Sequence, residues 1–366
     1  MSVSARRKSW PDRAARLAAR LPRGLLDPAV LAWAQGAPRG IPWGVAFSGG
    51  PDSLALLLLV WAHWPERRRR LWALHFDHRL RGAAARADAR FCARVCRSLG
   101  VRLTAGHWRD APAAASEAEA RAARFAFFAA ELARRRIRAL WLGHQQDDIA
   151  ESLLMRLARG SGAGGLAAPR PVQPAEKGRV RLRPLLGLKK AELKAALRAA
   201  GIPWREDRTN AGSDHFRNRI RSRVIAPWLR AARRDALAGA ALSRSLLAED
   251  DSALEAWVDR LRPVTAGGRL NLARLSGAPR AVVRRALHRW VLAQGAAGVL
   301  SRQGFELLLS AVAAGKATRQ SFGPGRFAVL TGPWLRCVGA GKKRRAASGR
   351  PSGKSNRPRI RRFGDS

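Results

Sequence analysis

The strongest constraint on this chain lies near residue 50. Trp43–Phe47 (WGVAF) is an apolar run of strand length, Ser48–Ser53 reads SGGPDS, and an apolar helical run begins at Leu54. Gly49 and Gly50 allow a tight turn and a close backbone approach to a ligand. A helix starting near Pro51 and Asp52 offers unpaired N–H groups and partial positive charge, which together favour phosphate. Ser48 and Ser53 add hydroxyl donors. A bare SGG would fit any Gly-rich strand–helix turn, whereas SGGxDS between a strand and a helix is more demanding. This is not a Walker A loop, because no GxxxxGK[ST] occurs; Gly349–Ser355 (GRPSGKS) is one residue short of it.

Further strands are predicted at Leu71–Phe76, Val101–Leu103, Ala139–Leu142 and Val180–Leu182, with helix-length segments between them. The alternation predicts a doubly wound α/β domain with a parallel sheet. Ligands bind such sheets beyond the carboxyl ends of the strands. SGGPDS, HFDH (His75–His78) and GHQQDD (Gly143–Asp148) then share one edge. Lys189–Ala200 reads as a short helix, and 231–314 as mostly helical. Gly and Pro breaks within Phe322–Val338 suggest a small hairpin. From Gly341 the chain is Gly, Ser and Pro with ten basic residues and Asp365, the composition of a disordered tail. The expected organisation is a basic N-terminal segment (1–28), the α/β domain (29–230), a smaller, mainly helical domain (231–340) and the tail (341–366).

Charge narrows the partner. Seventy Lys and Arg against 26 Asp and Glu give +44, which favours a polyanion, nucleic acid first. A GC-rich genome would also enrich arginine. Three cysteines exclude a disulfide scaffold, and Cys92 and Cys96, four apart in an apolar helical stretch, read as core thiols. No apolar run approaches the ~20 residues of a membrane span. With no secretory signal in the Arg-rich opening, a cytoplasmic protein is expected.

Asp147, Asp148 and Glu151 form an acidic cluster. On a helix, Asp147 and Glu151 stand at i and i+4, Asp148 and Glu151 at i and i+3. They suit a cation, a metal ion or an ammonium group, or they compensate a helix dipole. Mg²⁺ takes one or two carboxylates plus phosphates, which fits Asp52 or one of this cluster, with Asp148 the candidate. His75, Asp77 and His78 lack the spacing and the third ligand of a zinc site. Arg121 and Arg124 are helix neighbours, either solvated basic surface or partners for phosphate.

SGGPDS resembles the pyrophosphate loop of the N-type ATP pyrophosphatases (the PP-loop superfamily, with a Rossmann-like domain). Within it the chain resembles the tRNA(Ile)-lysidine synthase family. HFDHRLR (His75–Arg81), ARAARF (Ala120–Phe125), GHQQDDIAES (Gly143–Ser152), RLARGSGAGGL (Arg156–Leu166), RPLL (Arg183–Leu186), WREDRTN (Trp204–Asn210) and FRNRIR (Phe216–Arg221) follow in order. Arg79, Phe125, Ile149, Ser152 and Arg208 depart from the family pattern. The resemblance covers about residues 40–225. It implies an enzyme, a ligase, that joins L-lysine to C2 of the wobble cytidine of a CAU-anticodon isoleucine tRNA. ATP first adenylates the base, and the product lysidine reads AUA instead of AUG. The resemblance implies ATP contacts from Ser48, Gly49, Gly50, Pro51, Asp52, Ser53, Phe76, His78 and His144. It gives Asp52, Arg121, Arg124, Asp147 and Glu151 catalytic roles, with Mg²⁺ on Asp52 and Asp148.

Overall fold

Strand and helix lengths alternate as the sequence pattern requires. The computed structural model describes residues 9–78, 83–109, 111–112, 115–206, 216–295, 300–321, 323 and 325–339. The expected tail at 341–366 lies outside the described residues, as do 1–8 of the basic opening, 79–81 of the HFDHRLR segment and 207–210 of the WREDRTN segment.

Helices α1 (Trp10–Arg20) and α2 (Pro28–Gly36) precede β1 (Trp43–Ala46). Then come α3 (Pro51–His63), β2 (Leu71–Asp77), α4 (Ala83–Leu99), β3 (Arg102–His107), α5 (Glu117–Arg134) and β4 (Ala139–Trp141). After these follow α6 (Gln146–Leu157), α7 (Ala163–Leu166), β5 (Val172–Ala175), β6 (Arg179–Leu182) and α8 (Lys190–Ala199). Helix α9 (Phe216–Arg219) runs through a π-helical turn (Ile220–Ile225) into α10 (Ala226–Ala231). The six strands form one sheet in the order β3-β2-β1-β4-β6-β5. All five expected strands are present and parallel. The sixth, β5, was not legible: it carries Pro174, pairs antiparallel and sits at the edge, where a missing N–H is tolerated.

Alternate residues of the strands feed two cores, as period-two side chains on a sheet covered on both faces must. Trp43, Val45 and Phe47 point to one face with Trp141 and Leu182, under α3, whose buried run Leu54–Trp61 is apolar all round. The rings of Trp43, Trp64 and Trp141 lie 4.7–5.6 Å apart. Leu74 and Leu140 point to the other face, onto Phe128 and Leu132 of α5. Helix α1, inside the Arg-rich opening, sinks Ala14 and Leu17 into the first core and is capped by a reciprocal Ser9–Asp12 pair.

By internal contacts the chain divides into Met1–Ser252 and Ala253–Ser366, a division that falls inside the long helix α11 (Ala236–Leu261). The second unit has its own core, with Trp290 of α12 (Arg280–Ala293) and Leu309 of α13 (Arg302–Ala313) fully buried. To the helices it adds a four-stranded antiparallel sheet, ordered β7-β10-β9-β8: β7 (Leu270–Asn271), β8 (Thr318–Ser321), β9 (Arg326–Thr331) and β10 (Trp334–Gly339). The expected hairpin is β9–β10, turning at Gly332 with φ +54°.

Candidate active site

The chain reverses direction across the sheet between β1 and β4, and parallel in-register pairing sets the carboxyl ends of these two strands side by side. Doubly wound sheets bind ligands at this switch point. SGGPDS leaves β1 there and GHQQDD leaves β4. Contact between the loops is close enough to need a glycine. A Cβ on Gly143 would sit 2.9 Å from the Asp52 carbonyl oxygen.

The SGGPDS loop is tied by its own serines. Ser53 Oγ accepts from the Ser48 amide at 3.1 Å and donates to the Gly50 carbonyl at 3.1 Å, and the two serine hydroxyls are 3.0 Å apart. The two glycines do different work. Gly49 has φ +88°, and a Cβ there would press on Cys92 Sγ at 3.2 Å, so the fold itself requires it. Gly50 has ordinary extended dihedrals, and a Cβ would meet no protein atom closer than 3.5 Å. We expect Gly50→Val to fold with a melting temperature near that of the parent while its ATP affinity drops at least about tenfold. Gly49→Val should lose stability as well. Calorimetric ATP titration beside thermal melts separates the two.

Asp52, in the first turn of α3, has one carboxylate oxygen 4.0 Å from Lys190 Nζ, with Gln145 Nε2 donating to the same oxygen at 3.5 Å. The other oxygen, Oδ1, is buried with no hydrogen-bond partner among the described residues. Burial pushes the carboxyl above the usual aspartate range; Lys190 opposes this, while Asp148 and Asp147 add to it. A buried carboxylate oxygen with a free lone pair fits a divalent cation. Among the described residues no three His, Cys, Asp or Glu side chains converge for a metal. His75 is buried, with Nδ1 3.0 Å from the Phe47 carbonyl oxygen.

The acidic cluster lies on α6 as the spacing predicted, but the structure gives it partners that spacing did not. Gln145 caps the helix: its side-chain oxygen accepts from the Asp147 backbone N–H at 3.0 Å, and its own backbone N–H donates to Asp148 Oδ2 at 3.0 Å. Asp148 Oδ1 accepts from Arg217 Nη2. Glu151 is 1% exposed and accepts from Arg217 Nε at 2.5 Å and Arg221 Nε at 2.6 Å. Both oxygens of Asp148 and both of Glu151 are therefore taken. The cations at Glu151 are two guanidiniums of this chain. Burial alone would lower the Arg217 pKa, but Asp148 and Glu151 outweigh it and hold the group above the usual arginine value. Asp147 spends one oxygen on the Lys190 amide at 3.0 Å.

Beside this cluster arginines crowd together. Arg121 and Arg181 each lie 4.9 Å from the Phe125 ring centroid, and Arg124 lies at 5.9 Å. Burial, then Arg121 and Arg217, push Arg124 down to about 10. His144 is pushed well below the usual imidazole range by burial and then by Arg183, Arg121, Arg217 and Arg124. So many cations with few counter-ions make a site for an anion. Phe76, with Gly106, His107, Trp108 and Phe127, lines a cavity of about 400 Å³ at the ends of β2 and β3. Phe127 stacks 5.3 Å from Phe76 and lies over Gly106, where no Cβ would fit.

Gln145, Arg183, Lys190, Arg217 and Arg221 were not named from sequence as site residues. Gln145, Arg183, Arg217 and Arg221 fall inside segments that carried the resemblance, the one signal that pointed to them; Lys190 does not.

With this geometry in hand, the comparisons are specific. Residues 35–228 match the PP-loop domain family. Among curated relatives, a tRNA(Ile)-lysidine synthase of Symbiobacterium thermophilum is 42% identical over 57% of this chain and 44% of its own length. One of Solibacter usitatus is 40% identical over 67% of this chain and 55% of its own. The chain thus spans about half the length of the curated relatives it matches. Among solved structures, the U34-tRNA thiolase NcsA of Methanococcus maripaludis with its [4Fe-4S] cluster aligns with a TM-score of 0.47. It is 15% identical, over 65% of this chain and 78% of that one.

Proposed function

The chain belongs to the PP-loop family, and from that premise we propose that it joins lysine to C2 of the wobble cytidine of a CAU-anticodon isoleucine tRNA, using ATP. The observation that carries this reading is the meeting, at the β1–β4 switch point, of a phosphate loop, an unpartnered buried carboxylate oxygen and an arginine array. Curated relatives with the lysidine synthase name support it.

The cytidine C2 carbonyl oxygen attacks the ATP α-phosphorus. The bond to the β-phosphate oxygen breaks, and pyrophosphate leaves. The lysine ε-amine, after losing a proton, adds to C2 and expels AMP. The SGGPDS amides and hydroxyls hold the departing pyrophosphate. Asp52 Oδ1 is the ligand that fits Mg²⁺, which would supply neutralising charge on the phosphates; Asp148, with both oxygens engaged, is left to cap α6 and hold Arg217. Arg121 and Arg124 meet the negative charge that grows as the α-phosphorus is attacked. Asp147 retains one oxygen for the lysine ammonium. The aromatic cavity at Phe76 suits a purine ring, and His78 and His144 remain ATP contacts. The net charge of +44 serves tRNA affinity. A base held in an anticodon loop is splayed out to be read and modified. Among the described residues no helix is long and apolar enough to cross a membrane; a cytoplasmic setting fits a tRNA substrate.

Nucleoside mass spectrometry of that tRNA after incubation with protein, ATP and lysine tests the proposal. Lysidine is expected only when all three are present, and its absence with folded protein would reject the reading. A sulfur-transfer reaction would begin with the same adenylated base but needs an accessible, low-pKa thiol. Here Cys92 and Cys96 are buried. Burial raises both thiols, Cys96 to about 12, and at Cys92 the neighbouring Cys96 and Asp88 add to it. We therefore expect a Cys92→Ala, Cys96→Ala, Cys337→Ser variant, normalised to folded protein, to retain lysine transfer within about threefold. An inert folded variant, with wild type thiolating the tRNA, would replace lysine transfer by sulfur transfer.

A further inference from the structure

Arg183 follows β6 directly and is 4% exposed. Its guanidinium makes three hydrogen bonds, all to neutral acceptors. Nη1 donates to the Arg170 carbonyl at 2.7 Å, Nη2 to Gln173 Oε1 at 2.8 Å, and Nε to His144 Nδ1 at 3.1 Å. A guanidinium has no acceptor, so the third bond runs one way only. Nδ1 accepts and carries no proton, which leaves the proton of the neutral ring on Nε2. Nε2 has no hydrogen bond to the described residues. Burial, and the charges of Arg183, Arg121, Arg217 and Arg124, keep the ring from taking a second proton. Arg183 itself is lowered by burial, then by Arg181 and Arg121, to about 10, and so stays charged at neutral pH.

We propose that Arg183 is a positioning residue: its Nε–H fixes His144 as the Nε2–H tautomer, so that the ring offers the bound nucleotide a neutral hydrogen-bond donor and does not serve as a base. The donor role rests on the adenylation reading above, while the tautomer does not depend on it. A neutral donor aimed at an anionic oxygen strengthens as charge accumulates there, without needing a proton from solvent. Arg183 also explains how a ring on the loop after β4 is held by the far side of the sheet, since Arg170 and Gln173 belong to the segment around β5.

The chain labelled with ¹⁵N-histidine tests this directly, with His144 assigned by the signals lost in His144→Gln. In wild type at neutral pH we expect an unprotonated Nδ1 and a protonated Nε2. Arg183→Lys keeps the charge but lacks Nε–H. It should give a mixed tautomer and reduce kcat for ATP–pyrophosphate exchange about tenfold, with KM for ATP little changed. In the His144→Gln background the same change should cost less than about twofold, because no ring remains to be oriented. A proton on Nδ1 in wild type overturns the lock without any activity assay or variant. Equal losses in both backgrounds would make Arg183 purely structural and overturn the positioning role. Absence of exchange in wild type beside the expected tautomer would overturn the adenylation reading and the donor role with it, not the lock.

Discussion

Asp52→Asn should lose ATP–pyrophosphate exchange by at least about 100-fold while tRNA affinity stays within about twofold. Shape is kept and one charge is removed from the oxygen that fits Mg²⁺. Charge stabilisation of phosphate is worth several kcal/mol, at about 1.4 kcal/mol per tenfold in rate. On the proposed function, affinity for tRNA draws on a net charge of +44, against which one charge more is a small change. Exchange near the wild-type rate would remove Asp52 from the site.

The same variant should be no less stable than wild type at neutral pH. The folded Asp52 carboxyl is held above its ordinary value of 3.8, chiefly by burial, with Lys190 opposing and Asp148 adding. Between the ordinary and the raised value the folded protein binds more protons than the unfolded one, so stability falls as pH rises through that window. Ionised Asp52 is therefore a cost at pH 7 that asparagine does not bear. The melting temperature of Asp52→Asn should equal or exceed that of wild type at pH 7, with the gap shrinking as the pH drops toward about 4. Mg²⁺ with ATP should raise the wild-type melting temperature and leave the variant nearly unmoved. A wild type that melts well above the variant without ligand would show a partner for Oδ1 within the protein.

What sequence revealed and what it hid follow from the range of each interaction. The phosphate loop was legible because its requirements are local: a left-handed glycine, a helix start and two serines within six residues. Among the five parallel strands β1, β2 and β4 were legible as short, mainly apolar runs, while β3 and β6, which carry arginines, were marked by their place between helix-length segments. The alignment of SGGPDS with GHQQDD followed from topology alone, and the Gly143–Asp52 approach realises it. Arg217 and Arg221 were hidden for two reasons. They lie 66 and 70 residues from Glu151, and in a chain with 70 Lys and Arg another arginine carries almost no information. In the second unit the β9–β10 hairpin was legible from its Gly and Pro breaks, but the strands beside it were hidden, because β7 is two residues long and β8 is polar throughout. The acidic triad suggested Mg²⁺ or a lysine ammonium; that two arginines of this chain lie against Asp148 and Glu151 is a tertiary fact that spacing does not carry.

Glu151 is where that distinction can be measured. Glu151→Gln preserves volume but replaces one acceptor oxygen with an amide donor facing a guanidinium. Removing one partner of a buried ion pair costs on the order of 3 kcal/mol, and Arg217 here keeps Asp148 as a remaining partner. The urea midpoint should fall accordingly. Arg217 and Arg221 then lose their shared anchor, and Arg217 with it its placement beside Arg121 and Arg124. If Glu151 acts by holding these arginines, the fault appears before lysine enters: ATP–pyrophosphate exchange in tRNA-containing, lysine-free buffer should drop more than about tenfold, since a charge-assisted hydrogen bond is worth roughly 1.5–3 kcal/mol. If Glu151 instead grips the lysine ammonium, exchange should be untouched and only KM for lysine should rise. The structure favours the first outcome, because both Glu151 oxygens already accept from arginine at 2.5 and 2.6 Å and the carboxylate is 1% exposed. An unchanged exchange rate with a raised lysine KM would mean that the arginines move aside when lysine binds, and would return Glu151 to the substrate.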